Sequence, residues 1–261
     1  MAPMHQNKSK EGKYEEHRTY FEEFYTQTPF WGALTDERTT TEVRELTALC
    51  QFAKNEMILD VGCGQGRHCL KLRAVRYHAF GLDYSRTLIN IAGSEAAKKN
   101  IRAPFVRGNM RSLPFRAAVF DWALSLFGSF GFLSDEDNEK TIIEIGRVLK
   151  PGGKLLLEIW NKDFALKRDG DETRYELGGD RYLVQKSSFS RKTKRMTVKR
   201  LFIDNDKANE ISICYRIFTV PEISDLLENR GFQVEDVRGS LSSKKLSPDS
   251  RSMVIYCRKA L

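Results

Sequence analysis

From residue 57 onward, short apolar runs alternate with stretches whose apolar residues recur every three or four positions, a strand–helix alternation that predicts a parallel sheet covered on both faces. Met57-Ile-Leu-Asp-Val61 reads as a strand, Gly62-Cys-Gly-Gln-Gly66 as a glycine turn and residues 67–74 as a helix. A second strand over 79–83 precedes Ser85, which is placed to cap a helix to about Asn100 with Leu88, Ile91 and Ala92 inward. Strands over 105–107 and 122–126 follow. A helix started by Ser134 turns Ile142, Ile145 and Leu149 inward, and Lys150-Pro-Gly-Gly153 stops it before a strand over 154–160. The texture then changes. Residues 172–218 alternate polar and apolar positions, broken at Gly178-Gly-Asp180 and Asn205–Asn209, which predicts an antiparallel insertion. Thr219-Val-Pro-Glu222 reads as a capping box for a helix ending near Gly231, and strands over 232–237 and 252–258 close the chain.

Upstream, residues 41–53 read as a helix with Val43, Leu46 and Leu49 on one face. Residues 14–31 crowd Tyr14, Tyr20, Phe21, Phe24, Tyr25, Phe30 and Trp31 among acids before any core strand exists. Those rings need a surface, and the open carboxyl edge of the sheet is the expected one.

The composition narrows the class. With 261 residues, 41% hydrophobic and 30% charged, the chain suits one large domain, which excludes wholesale disorder and collagen. No apolar run approaches the roughly 20 residues of a membrane helix. Neither a secretory core nor a lipidation site is visible at the start, so a cytoplasmic protein is expected. Five cysteines (50, 63, 69, 214, 257) and four histidines (5, 17, 68, 78) show no ligand spacing, so neither disulfides nor a metal are expected. Cys63 reads as a small residue in a tight turn, the alternative being a reactive thiol at a helix start. Seven Lys/Arg and no acid fall within residues 186–200, which accounts for most of the net +8. Such a run reads as a solvated face or as a nucleic-acid patch.

In an open parallel sheet, ligands sit beyond the carboxyl ends of the strands, where Gly62–Gly66, Asp83, Asn109 and Leu126–Phe132 all fall. Asp83 lies nineteen residues after Gly64, near the spacing at which a carboxylate meets a ribose hydroxyl pair. A nucleoside-containing ligand follows. The dinucleotide fingerprint would place its third glycine where this chain has Arg67; here it comes one position early, at Gly66.

Asp60-Val-Gly-Cys-Gly-Gln-Gly66, the acid ending the next strand, Gly108-Asn-Met-Arg-Ser-Leu-Pro-Phe115 and Leu149-Lys-Pro-Gly-Gly153 together closely resemble class I S-adenosylmethionine-dependent methyltransferases, over some four-fifths of the chain. Gly64-Gln-Gly-Arg-His68, Phe127-Gly-Ser-Phe-Gly-Phe-Leu-Ser-Asp135 and Ser247-Pro-Asp-Ser250 look like a small-molecule subgroup with a β insertion after the fifth strand. The resemblance implies that S-adenosylmethionine is the cofactor. Gly62, Gly64 and Gly66 would accommodate its methionine moiety, Asp60 its ammonium and Asp83 its ribose. Tyr84 would pack on the adenine, Asn109 and Met110 would meet the adenine edge, and the Leu126 carbonyl would lie near the ammonium. Family members commonly carry Asp where this chain has Asn109, whose amide oxygen can still accept from the adenine amine.

Methyl transfer in line requires proximity, desolvation and alignment, and a base only for a poor nucleophile. No catalytic residue is assigned; His68 reads as an ordinary helix residue. Tyr25, Trp31, Phe127 and Phe130 are expected to wall the acceptor pocket, with core packing the alternative for the phenylalanines. The fold expected is α/β, a Rossmann-like three-layer sandwich with a seven-strand, mostly parallel sheet and an antiparallel last strand. Residues 1–13 would be a disordered tail, 14–50 a helical lid and 51–261 the cofactor-binding domain, with the insertion at about 161–218. The expected partner is a small-molecule methyl acceptor. RNA recognised through 186–200, or a noncatalytic nucleotide-binding module, are the rivals.

Overall fold

The computed structural model describes residues 16–205, 207–243 and 245–261. The expected tail, 1–13, and Tyr14 lie outside them. Seven strands, β1 (Met57–Val61), β2 (His78–Asp83), β3 (Phe105–Arg107), β4 (Phe120–Ser125), β5 (Leu149–Trp160), β10 (Phe232–Arg238) and β11 (Ser252–Lys259), form one sheet in the order β10-β11-β5-β4-β1-β2-β3. Pairings among β1 to β5 are parallel, and β11 runs antiparallel to both β5 and β10. The expected fold class is the one observed.

Two-residue alternation sorts the strands' side chains onto two helical layers. Leu59 and Val61 of β1, with Leu155, Leu157 and Ile159 of β5, pack with Ile142 and Ile145 of α4 (Asp135–Val148) and Ile223 and Leu227 of α6 (Val220–Glu228). Ile58 and Leu156 face the other way, toward Val43 and Leu46 of α1 (Asp36–Cys50) and Cys69 and Leu72 of α2 (Arg67–Ala74). A further helix, α3 (Arg86–Lys98), buries Leu88 and Ala92 and is capped by Ser85.

Some boundaries move for local reasons. Thr35 caps α1, so that helix starts before the apolar spacing declares it. Leu149 already pairs with Phe120, and a register shift absorbs Pro151-Gly-Gly153, so β5 begins earlier than residue 154. At α6, Thr219 and Glu222 form the full reciprocal capping box. At α4 only half of one forms: Ser134 accepts from the Asp137 amide, but the Asp137 carboxylate turns to Arg111 and Lys140.

After the short helix α5 (Lys162–Leu166), strands β6 (Glu172–Gly178), β7 (Arg181–Ser190), β8 (Arg195–Asp204) and β9 (Lys207–Arg216) form a separate antiparallel sheet, with a turn at 191–194 that the alternation alone does not announce. Ion pairs tie it to the α/β body, among them Arg195 with Asp135, and Lys194 and Arg216 with Glu222. The N-terminal aromatics dock here. Tyr20, 2% exposed, packs with Leu183, Phe202, Ile211 and Ile213, and Phe24 lies on Phe202 with ring centroids 4.9 Å apart. Their core contacts are with the insertion sheet, while Tyr20, Phe21, Tyr25 and Phe30 also face the carboxyl edge of the main sheet where composition placed them.

Candidate active site

The carboxyl ends of β1, β2 and β4, the segment 17–38 and one face of the insertion enclose a single cavity of about 500 Å³. Its floor is the glycine turn. The Gly62 and Cys63 amides both donate to the Leu82 carbonyl, at 2.8 and 3.0 Å, which folds the turn back over β2. At Gly62, with φ +83°, a Cβ would fall 2.6 Å from that of Ser129. At Gly64, a Cβ would meet no atom within 4 Å, because that residue faces open cavity. Gly66 differs: it stands at the start of α2 against the Phe105 ring, 2.4 Å from where a Cβ would lie, and it does not line the cavity.

Asp83 accepts from the Gly64 amide at 2.8 Å and the Ser85 amide at 2.9 Å, so it fixes the turn and the start of α3 while facing the cavity. Burial raises its carboxyl above the ordinary range. Asp60 is 2% exposed, and burial pushes it up to about 7, with Arg67 opposing. Its one hydrogen-bond donor among the described residues is the Cys69 thiol, at 3.8 Å.

Tyr84, Met110 and Leu126 line the same cavity, and Arg107 donates to the Tyr84 carbonyl. Asn109 does too, but its amide oxygen accepts from the Arg111 amide and Nε, which leaves its NH₂ as the group available to a ligand. The Leu126 carbonyl accepts from the Ser129 amide and lies 2.9 Å from the Ser129 hydroxyl, itself 3.0 Å from the Gly62 carbonyl. Ser129 thus stitches the glycine turn to the end of β4. Nothing in its local sequence marks that role.

Of the four residues expected around the acceptor, Tyr25 and Phe127 line the cavity. Trp31 meets the edge of Tyr25 at 5.8 Å without reaching the cavity, and Phe130 lies in the main core against Phe218. Phe127 has φ +59°, an uncommon conformation for a bulky residue, and its ring is held by the guanidinium groups of Arg67 and Arg38 at 4.3 and 4.9 Å. Both arginines also pair with Glu42, as does His68 through Nε2. Burial would raise Glu42, but His68, Arg67 and Arg38 hold it down to about 2. Burial lowers His68 to about 4, so its ring is neutral and engaged. Cys63 is buried, which pushes its thiol up and leaves it a small turn residue. No group of His, Cys, Asp and Glu among the described residues could hold a metal.

Two features escape sequence reading. Glu22 reaches α3, accepting from the Arg86 and Thr87 amides, both at 2.9 Å, and lying 3.2 Å from the Ser85 hydroxyl. This is an anion at a helix N-terminus. The basic run 186–200, in turn, is not one face. Lys186, Lys194, Arg195 and Lys199 pair with acids, Arg191 and Lys192 are exposed on the hairpin turn, and Arg200 points into the cavity.

Residues 58–153 match the family described as a methyltransferase domain. The chain is 35% identical over 104 residues to the Bos taurus protein named "Probable tRNA methyltransferase 9B", a match covering 40% of this chain and 21% of that one. It spans 21–64% of the length of the curated relatives it matches. Among solved structures, an S-adenosylmethionine-dependent methyltransferase from Clostridium acetobutylicum superposes with a TM-score of 0.75 at 14% identity, over 91% of this chain and 97% of that one. The sugar N-methyltransferase KedS8 from Streptoalloteichus superposes at 0.62 and 20% identity, over 85% and 87%. At these identities, the solved structures establish the fold.

Proposed function

With residues 58–153 a methyltransferase domain set in a class I seven-strand sheet, we propose that the chain transfers a methyl group from S-adenosylmethionine to nitrogen or oxygen of a small-molecule acceptor. The residues present fit the cofactor. Asp60 is a buried carboxylate with only a thiol donor, suited to an ammonium, and Gly64 leaves room where any side chain would intrude. Asp83 can accept from a ribose hydroxyl pair on the lone pairs its two backbone donors leave free. Tyr84 and Met110 supply apolar surface for a purine, and the Asn109 NH₂ can donate to a ring nitrogen. When bound, the cofactor supplies an electrophilic methyl group on a sulfonium.

What the chain itself does is exclude water and align. Tyr20, Phe21, Tyr25 and Phe30 roof the cavity from the N-terminal side, and Glu22 clasps that segment to α3. Tyr20 and Tyr215 are pushed up to about 12, chiefly by burial, so their phenols stay protonated and can orient an acceptor without deprotonating it. His68, neutral and bound to Glu42, is a positioning residue for α1 and α2. No dedicated base is assigned. An amine, or an oxygen already ionised, is the nucleophile that such a site serves.

The observation that carries this reading is the continuity of the cavity, from the glycine turn and Asp83 to an aromatic wall on the insertion, beneath a roof from the N-terminal segment. It is tested by incubating the protein with methyl-labelled S-adenosylmethionine and, separately, a low-mass metabolite extract and total RNA. Label in a low-mass product supports the proposal, and label confined to RNA overturns the acceptor class. The RNA reading has its own support in the relative named for tRNA and in exposed Arg191 and Lys192. It requires affinity that falls steeply with salt.

A further inference from the structure

The acceptor end of the cavity carries a charge that no acid among the described residues pairs with. Along β8, Met196, Val198 and Phe202 are buried on one face, and two-residue alternation puts Arg200 in that same row. Its guanidinium carbon lies 4.7 Å from the Tyr20 ring centroid and 4.9 Å from that of Phe30, and its Nε donates to Gln185 Oε1 at 3.0 Å. No carboxylate among the described residues comes within ion-pairing distance of it, whereas Lys199, on the opposite face of the same strand, has Glu210. Arg251, more exposed, lines the neighbouring wall. It stands over Trp160 at 5.1 Å, also without an ion pair among the described residues. Burial lowers the pKa of the Arg200 guanidinium, which is partly shielded from solvent, whereas Arg251 is exposed at the rim of the cavity.

The acids of the cavity sit at its other end. Asp60 and Asp83 stand at the glycine turn, where a cationic cofactor belongs, while the far end carries Arg200 from the insertion, Arg251 from the turn before β11, and the rings of Tyr20, Phe30, Trp160 and Tyr215. A partly desolvated charge without an acidic partner, as at Arg200, is favoured where a counter-ion arrives. Guanidinium recognises carboxylate or phosphate oxygens through paired N–H donors, and rings beside it favour a flat apolar body.

Resting on the methyltransferase reading for the site as a whole, we propose that the acceptor is an aromatic or otherwise flat apolar molecule bearing an anionic oxygen group, carboxylate or phosphate, which Arg200 binds with Arg251 beside it. Arg200 is thereby a specificity determinant and takes no part in cofactor binding.

The test uses matched probes: indole-3-acetate against indole-3-acetamide, and phenyl phosphate against phenol, titrated by calorimetry into the full chain with and without S-adenosylhomocysteine. Within at least one pair the anion binds the wild-type protein about ten-fold or more tightly. Whether the carboxylate or the phosphate pair shows the larger contrast identifies the group. Arg200→Met removes the contrast, and Arg200→Lys keeps part of it. Both variants bind S-adenosylhomocysteine as the wild type does. Equal affinity within both pairs, or no binding of any probe, overturns the proposal, and neither result depends on a variant folding. Loss of S-adenosylhomocysteine binding in both variants, with their far-ultraviolet spectra unchanged, also overturns it by assigning the guanidinium to the cofactor. If the wild type does not bind S-adenosylhomocysteine, the methyltransferase reading fails on its own, while the anion contrast measured without it still decides this proposal.

Discussion

Replacing Glu22 with alanine should unlatch the N-terminal segment without unfolding the domain. Glu22 is 18% exposed and accepts two backbone amides at the start of α3, with the Ser85 hydroxyl 3.2 Å away. Charge-assisted hydrogen bonds are each worth about 1.5–3 kcal/mol, and an acid at a helix N-terminus about 0.3–1 kcal/mol. Partial exposure and the water that replaces the carboxylate reduce the total, leaving about 2–3 kcal/mol between the docked and undocked segment. That corresponds to a shift in their ratio of about 30- to 150-fold. Tyr20 remains buried in the insertion sheet, so the global transition should move little. Hydrogen exchange read by mass spectrometry is the assay: amides of residues 19–31 should exchange faster by that factor in Glu22→Ala, with β1, β4 and β5 unchanged. Glu22→Gln, which keeps one acceptor, should fall between. The pH dependence follows from the carboxyl's position. Burial pushes it up, but the Thr87 and Arg86 amides outweigh burial and hold it below the ordinary glutamate range. A depressed carboxyl stabilises above its unfolded-state pKa and loses that contribution as pH falls through the folded value. The latch should therefore survive through the ordinary glutamate range and open only below it. Unchanged protection of residues 19–31 in Glu22→Ala would refute the latch.

The other predictions concern the turn, the acids and the hairpin. Gly66→Ala meets the Phe105 ring and should destabilise the fold by about 1–3 kcal/mol in a denaturant titration, whereas Gly64→Ala should stay folded and lose S-adenosylhomocysteine in calorimetry. Because burial holds Asp60 near 7, it is protonated below that value and cannot pair with an ammonium, so cofactor affinity should fall as pH drops from 8 to 6, and Asp60→Asn should abolish that slope. The same raised carboxyl destabilises the free protein as pH climbs from the ordinary aspartate range toward 7, and thermal unfolding of wild type against Asp60→Asn measures it. Arg191→Ser with Lys192→Ser should leave small-molecule turnover intact, while Lys194→Ser with Arg195→Ser should lower the melting temperature by loosening the insertion from Glu222 and Asp135.

The α/β core was legible because each of its strands and helices declares itself locally: β5 splits Leu155 and Leu157 from Leu156 by simple alternation, and Ser85 and Thr219 mark helix starts. The glycine-turn end of the cavity was legible for the same reason, since the turn and Asp83 lie at the ends of consecutive strands. Long-range pairings were not. Glu22 meets amides some 64 residues away, and Ser129 meets Gly62 across 67. Counting charge hid Arg200 in a run that reads as solvated. The register of Met196, Val198 and Phe202 contained the signal, because it sets Arg200 among inward apolar positions and so on the cavity side of its strand. Trp31 and Phe130 were misplaced because an aromatic near a strand end can face either the core or the cavity, and only packing decides.

The central claim, that the glycine turn and Asp83 hold S-adenosylmethionine, is tested most directly by calorimetry of the wild type and Asp83→Asn. The account predicts 1:1 binding of S-adenosylmethionine and S-adenosylhomocysteine, no binding of NAD, and a loss of about 1.5–3 kcal/mol in Asp83→Asn. Tight NAD binding with no response to S-adenosylmethionine, or an unchanged affinity in Asp83→Asn, would contradict it.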